Sequence, residues 1–258
     1  PVTHSKAWIE MVHRYLATGV GVLILLLASL SWWQRRHHPA IRPGWPTFTL
    51  VWVCLQGAFG ALTVTMKLFP AIVTLHLMFG IGLLALLMAQ AVRYDGAGAR
   101  PLPARLRQGL WVGFVLLWLQ IALGGWVSTN YAVLACNTFP QCQNSWWPLM
   151  DFSNGFTIWR PLGLNAVGEA LSFEALTAIH YVHRLSAYVI FIAIGGLAWR
   201  LLSLSLSHTK HIAKVLGALL LLQLLTGLSN VVLDWPLFAA VLHTGGAAAL
   251  FTTMVWLL

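Results

Sequence analysis

Four histidines, at 13, 76, 183 and 243, stand inside otherwise apolar runs, and two of them are followed directly by arginine. The stretch IEMVHRYLATGV (9–20) aligns with IHYVHRLSAYVI (179–190), which places His13 on His183, Arg14 on Arg184 and Glu10 on His180. A second pair of stretches, QGAFGALTVTMKLFPAIVTLHLMFG (56–80) and QLLTGLSNVVLDWPLFAAVLHTGGA (223–247), places Gln56 on Gln223, Gly60 on Gly227 and His76 on His243. Ionisable residues are expensive in a bilayer and mark functional sites there. Polar residues matched at these intervals predict an internally duplicated membrane protein. Counting residues from the nearest chain break, at 1.5 Å of helical rise each, sets all four imidazoles at one level, roughly 8–10 Å below the outer surface. Within each half one histidine lies on the H-R helix and another on the last helix, so the two can face each other across a bundle. Paired neutral imidazoles of this kind suit axial ligation of a flat iron porphyrin. Zinc fits less well, because its usual additional Cys, His or carboxylate ligands are not at hand.

The halves differ at one chemically loaded position. Residues three apart share a helix face, so Glu10 and His13 look into one cavity, while the second half offers His180 with His183. A desolvated carboxylate titrates nearer neutral pH and can move protons or hold water, so the first half is expected to be the reaction site and the second a permanently occupied cofactor site. The alternative for Glu10 is an ion pair with Arg14 or a bond to a neighbouring helix. Arg14 and Arg184 can hydrogen-bond porphyrin carboxylates or an acidic outer loop. Gln56, Gln120 and Gln223 each precede a glycine by four residues, a setting for close helix contact with the amide as a bridge.

The elements that must position these groups are membrane spans. Of 258 residues, 59% are hydrophobic and 8% charged, which leaves too little polar surface for a water-soluble fold. Runs of about 20 apolar residues, enough to cross the hydrocarbon, occur near 8–33, 47–66, 71–92, 109–129, 174–202, 213–233 and 236–258, predicting seven spans. The net charge of +9 does not signal a nucleic-acid partner, because its basic residues gather at Arg35/Arg36/Arg42, Arg93/Arg100/Arg105/Arg107 and Arg200/Lys210/Lys214, in alternate loops. That pattern places those loops on the cytoplasmic side. The loop at 130–173 then lies outside, where Cys136 and Cys142 favour a disulfide. His4, His37, His38, His208 and His211 fall in loops.

The expected organisation is an all-α polytopic protein of two pseudo-symmetric four-helix bundles: an N-terminal half at 1–93, a cytoplasmic linker at 94–107 and a C-terminal half at 108–258. The second half has a span ahead of its H-R helix and the first does not, so one further N-terminal span is expected upstream of Pro1.

The segments EMVHR, TLHLMFG, LGGWVSTNYAVLACNTFPQC, HYVHR and LHTGGA, in this order, resemble the heme A synthase family of cytochrome oxidase assembly proteins over nearly the whole chain. The resemblance implies oxidation of the C8 methyl of heme O to a formyl group, in stages, giving heme A. It implies that His13 and His76 flank the substrate iron, that Glu10 assists, and that His183 and His243 ligate a bound heme b, with Arg14, His180 and Arg184 nearby. It also implies that Cys136 and Cys142 are the family's loop pair. The setting would be the cell's inner membrane, with heme sites toward the outer face. Expected partners are the enzyme that makes heme O, an electron acceptor, cytochrome oxidase assembly factors and a second copy of the chain. A di-heme b-type electron-transfer cytochrome and a non-catalytic heme carrier would also want four such histidines.

Overall fold

The computed structural model describes residues 5–94, 102–204 and 207–258. Seven of its helices are long and apolar enough to cross a membrane: α1 (Ser5–Arg35), α2 (Gly44–Thr65), α3 (Pro70–Tyr94), α4 (Ala104–Thr129), α6 (Phe173–Leu202), α7 (Ser207–Val232) and α8 (Leu237–Leu257). A one-turn α5 (Phe152–Gly155) and a 3₁₀ turn at Ala132–Ala135 lie in the loop between α4 and α6. Among the described residues, extended pairing is limited to isolated bridges at Cys142/Ser145 and Leu164/Ala170. The chain is thus an all-α polytopic membrane protein. Its helices turn apolar side chains outward, with Ile192 at 77% and Phe238 at 76% exposure. That is stable only where the surrounding solvent is lipid.

Two helices begin earlier than hydropathy indicates. α4 starts at Ala104 rather than near 109 and takes in Arg105 and Arg107, and α7 starts at Ser207, so His211 is helical instead of in a loop. Long basic side chains let a helix continue past the hydrocarbon, because their stems lie on apolar surface while the charge reaches water. His4, Arg100, residues 95–101 of the linker and the side chain of His208 lie outside the described residues.

The chain divides into two compact units, Pro1–Phe59 and Gly60–Leu258. In the first, the α1–α2 connection is pinned where Trp32 Nε1 donates to Thr47 Oγ1 at 2.9 Å. In the second, α4, α6, α7 and α8 form a four-helix bundle, and α3 packs on α4 and α8. Its core includes Leu110, Ile194, Leu216, Leu250, Phe251 and Met254, each almost wholly buried.

The duplication seen in the sequence recurs in the backbone. α2 ends with the Leu68 N–H bonded to Thr63 O at 2.8 Å, and α7 ends with the Trp235 N–H bonded to Asn230 O at 3.2 Å. Both are six-to-one helix stops. Lys67 and Leu68 have φ of 52° and 60°, and Asp234 and Trp235 have the same two values. Each left-handed pair reverses the chain into the helix that carries His76 or His243.

The α4–α6 loop is folded against α6. Thr177, His180, Tyr181 and Arg184 recur at helical spacing along one buried stripe of α6, and each holds a different part of the loop. Thr177 Oγ1 accepts from Gln143 Nε2 at 2.8 Å, and the Tyr181 hydroxyl donates to Trp146 O. His180 Nδ1 donates to Ala132 O at 3.0 Å. Arg184 Nη1 donates to Thr138 O at 2.7 Å and Gln141 O at 2.8 Å, and its Nη2 to Cys136 O at 3.0 Å. The loop is closed by the Cys136–Cys142 disulfide, as the sequence suggested, and both cysteines are fully buried.

Further along the loop, the buried Arg160 donates to Asn130 Oδ1 at 2.7 Å and lies 5.6 Å over the Trp126 ring. Asp151 caps α5 by accepting from Asn154 N at 3.0 Å and Nδ2 at 2.7 Å, and these bonds hold its carboxyl below the usual carboxylate range. Gly155 ends α5 where a Cβ would stand 2.8 Å from Ala175 O, a main-chain atom that cannot step aside. Gly155→Ala is therefore expected to destabilise the loop by about 1–3 kcal/mol, the usual range for overpacking. Limited proteolysis of the 130–172 segment would read this, and an unchanged cleavage rate would show that α5 can shift.

Candidate functional site

Three of the four intramembrane histidines have the same environment. On the helix facing each ring stands a glycine whose Cβ, if it had one, would meet the imidazole. The distance from such a Cβ to Cε1 is 3.0 Å for Gly60 and His76, 3.0 Å for Gly124 and His183, and 3.2 Å for Gly227 and His243. Contacts that tight are uncommon for real Cβ atoms, so a larger residue would oblige the ring to give by a few tenths of an ångström, whereas glycine lets it lie close to the neighbouring backbone without that shift. Gly60/His76 and Gly227/His243 are repeat partners. Gly124/His183 applies the same device to the H-R helix.

Four residues before two of these glycines a glutamine reaches the histidine main chain. Gln120 Nε2 donates to His183 O at 3.1 Å, and Gln223 Nε2 donates to His243 O at 3.0 Å. The Q-x-x-x-G spacing thus does bridge helices, as its composition suggested, and the helix contact it allows is with a histidine ring. The Gln120 amide also lies 3.1 Å from His183 Nδ1; Ser186 donates to Gln120 Oε1, and its hydroxyl lies 3.0 Å from His183 O. His243 Nδ1 lies 3.0 Å from Thr226 Oγ1. Both rings are half-buried.

His180 and Arg184, expected beside a cofactor, are engaged with the loop as described above. Arg184 spends three of its five N–H groups on main-chain carbonyls, which leaves two for a carboxylate. In the N-terminal unit, Glu10 and Arg14 form an ion pair at 2.6 Å on α1, and both are largely exposed, as is His13. Four residues apart on a helix is the spacing at which such a pair forms. The sequence did not single out Thr226, Ser186, Thr177 or Gln143. Only the glycines left a signal, the recurrent Q-x-x-x-G, and its reading stopped at helix packing.

A close cradle backed by glycine, with a ring nitrogen held from the side at His183 and His243, fits an imidazole that ligates a planar group through its other nitrogen. Fold and site together define a polytopic helical membrane protein built to present imidazoles inside its bundle. The COX15-CtaA family of cytochrome oxidase assembly proteins matches residues 1–255, and the chain belongs to that family. It is 36% identical over 259 residues to a heme A synthase of Shewanella oneidensis, an alignment covering 97% of this chain and 75% of the relative. It is 25% identical over 259 residues to a heme A synthase of Halalkalibacterium halodurans, covering 96% and 78% respectively. A heme A synthase of Methylobacterium nodulans is 32% identical over 252 residues, covering 92% of this chain and 65% of the relative.

Proposed function

We propose that this protein is a heme A synthase, oxidising the C8 methyl of heme O to the formyl group of heme A. Membership of the family supports the activity, and the glycine-backed histidines at repeat-related positions are the structural observation that carries it. In this reading His183 and His243 hold a resident heme b, and His13 and His76 flank the substrate. The resident heme supplies one-electron chemistry when bound. The work of the chain is to orient and to hold protons. The glycine contacts constrain the rings of His76, His183 and His243, and the Gln120 and Gln223 amides hold the main chain at His183 and His243.

Glu10 falls on His180, so its carboxylate has no counterpart in the second half. With Oε1 on Arg14, its other carboxylate oxygen takes up a proton from the methyl or from water during oxidation. Arg14 keeps the carboxylate oriented. His180 and Arg184 serve the resident site by holding the loop over it, and Arg184 offers its remaining N–H groups to a porphyrin carboxylate.

The two halves, 1–93 and 108–258, joined at 94–107, would then be substrate and cofactor bundles. The basic connections would face the cytoplasm and the disulfide loop the outer side of a bacterial inner membrane. Heme O would come from the enzyme that makes it. Electrons would leave to a separate acceptor, the product would pass to cytochrome oxidase assembly factors, and the chain would act as a homo-oligomer.

Expression beside a heme O source, followed by heme extraction, tests the proposal. Wild type is expected to accumulate heme A. Glu10→Ala is expected to lose it by about 10²–10⁴-fold, the range for general acid–base groups, while keeping heme b. Heme b without heme A in the wild type would instead indicate an electron-transfer cytochrome or a carrier.

A further inference from the structure

We infer that Thr226 is a positioning residue that fixes His243 in the tautomer able to bind iron. The inference rests on the resident-heme reading above and adds a residue that reading does not contain. Thr226 lies on α7, three residues after Gln223 and next to Gly227, and is 6% exposed. Its hydroxyl has one proton and three oxygen or nitrogen neighbours: Leu222 O at 2.7 Å, Gln223 O at 3.4 Å and His243 Nδ1 at 3.0 Å.

A carbonyl oxygen can only accept. A 2.7 Å approach of hydroxyl to carbonyl with no proton between them would set two lone pairs against each other, so the proton lies toward Leu222 O. Oγ1 is then the acceptor for His243, and Nδ1 must carry the ring proton. A neutral imidazole has one such proton, so Nε2 keeps its lone pair. This is the form an axial ligand needs, and a hydrogen bond donated from Nδ1–H raises the basicity of the ligating nitrogen.

The cradle of His243 therefore has three parts within five residues of α7. Gly227 gives the ring its place, Gln223 holds its main chain, and Thr226 sets its proton. The repeat puts Phe59 at the position of Thr226, so this last element belongs to the second half's sequence alone.

The test uses full-length protein purified with its hemes. Thr226→Val keeps the side chain's shape and removes the acceptor. Thr226→Ala removes the acceptor with less bulk and guards against a packing failure of the first variant, and Thr226→Ser keeps the hydroxyl. Heme b content, the midpoint potential and the low-spin absorption spectrum are the readouts. Val and Ala variants should raise the midpoint potential, because a less basic ligand favours ferric iron less, and should weaken heme retention about 10–100-fold. Ser should restore wild-type values, a rescue that a purely steric role would not give. Val and Ala variants with wild-type potential and heme content would overturn the inference while leaving the heme reading intact. Wild-type protein without heme b would overturn both.

Discussion

If His183 and His243 hold heme b as proposed, Gly124→Val and Gly227→Val are each expected to reduce extractable heme b to about a tenth of wild type or less, with helical content unchanged. The expectation follows from the space available. A Cβ at these positions would already stand 3.0 and 3.2 Å from an imidazole carbon, and the two γ-methyls of valine extend further into the ring. The helix cannot retreat, because Gln120 and Gln223 tie it to the facing main chain one turn away. The ring would have to turn, and in the proposed reading a ligand shifted off its axis loses affinity on the scale of about 10–100-fold expected for disturbed ligand supports. Gly217→Val is the matched control, since nothing lies within 4 Å of a Cβ built there. Valine variants that kept a full complement of heme b would show that these contacts are incidental.

Arg184→Met is expected to release the disulfide loop. The guanidinium donates three bonds to the carbonyls of Cys136, Thr138 and Gln141. Charge-assisted bonds contribute roughly 1.5–3 kcal/mol each, so about 4 kcal/mol or more of loop stability is at stake. Methionine fills much of the volume and donates nothing. Two observables follow: faster proteolysis across 132–147, and reduction of Cys136–Cys142 by a membrane-impermeant reductant that hardly touches the buried wild-type bond. Arg184→Lys should fall between the two, because an ammonium cannot serve three separated carbonyls with the fixed fork of a guanidinium. Wild-type resistance in Arg184→Met would mean that Thr177, His180 and Tyr181 hold the loop without it.

Much of the fold was legible because its signals are long or repeated. Seven spans follow from runs of apolar residues, and the duplication from polar residues matched 167 positions apart, as His76 is with His243. The disulfide followed from two cysteines in one loop. The role of Arg184 was harder to read. Its partners are main-chain carbonyls, which every residue has, so no side-chain chemistry at 136, 138 or 141 announces the contact. The same holds for His180, whose partner is Ala132 O. Its alignment with Glu10 drew attention to cofactor chemistry, while its bond is to the loop. Gly60, Gly124 and Gly227 were visible as small residues near glutamine, but what stands opposite a glycine depends on the register between helices. Thr226 left no trace, because the first half has phenylalanine there and the repeat gives no hint. The ends of α4 and α7 were missed because hydropathy stops at the first arginine or lysine, whereas a helix does not.

The stripe on α6 has a consequence for the order of synthesis. Thr177, His180, Tyr181 and Arg184 all lie C-terminal to the segment they hold, between Ala132 and Trp146. That segment leaves the ribosome before any of its anchors has been translated. Its two cysteines are therefore made before the helix that holds them, and the segment takes its final shape only when that helix arrives to receive it. Completion of the loop's fold thus waits on the helix that bears His183.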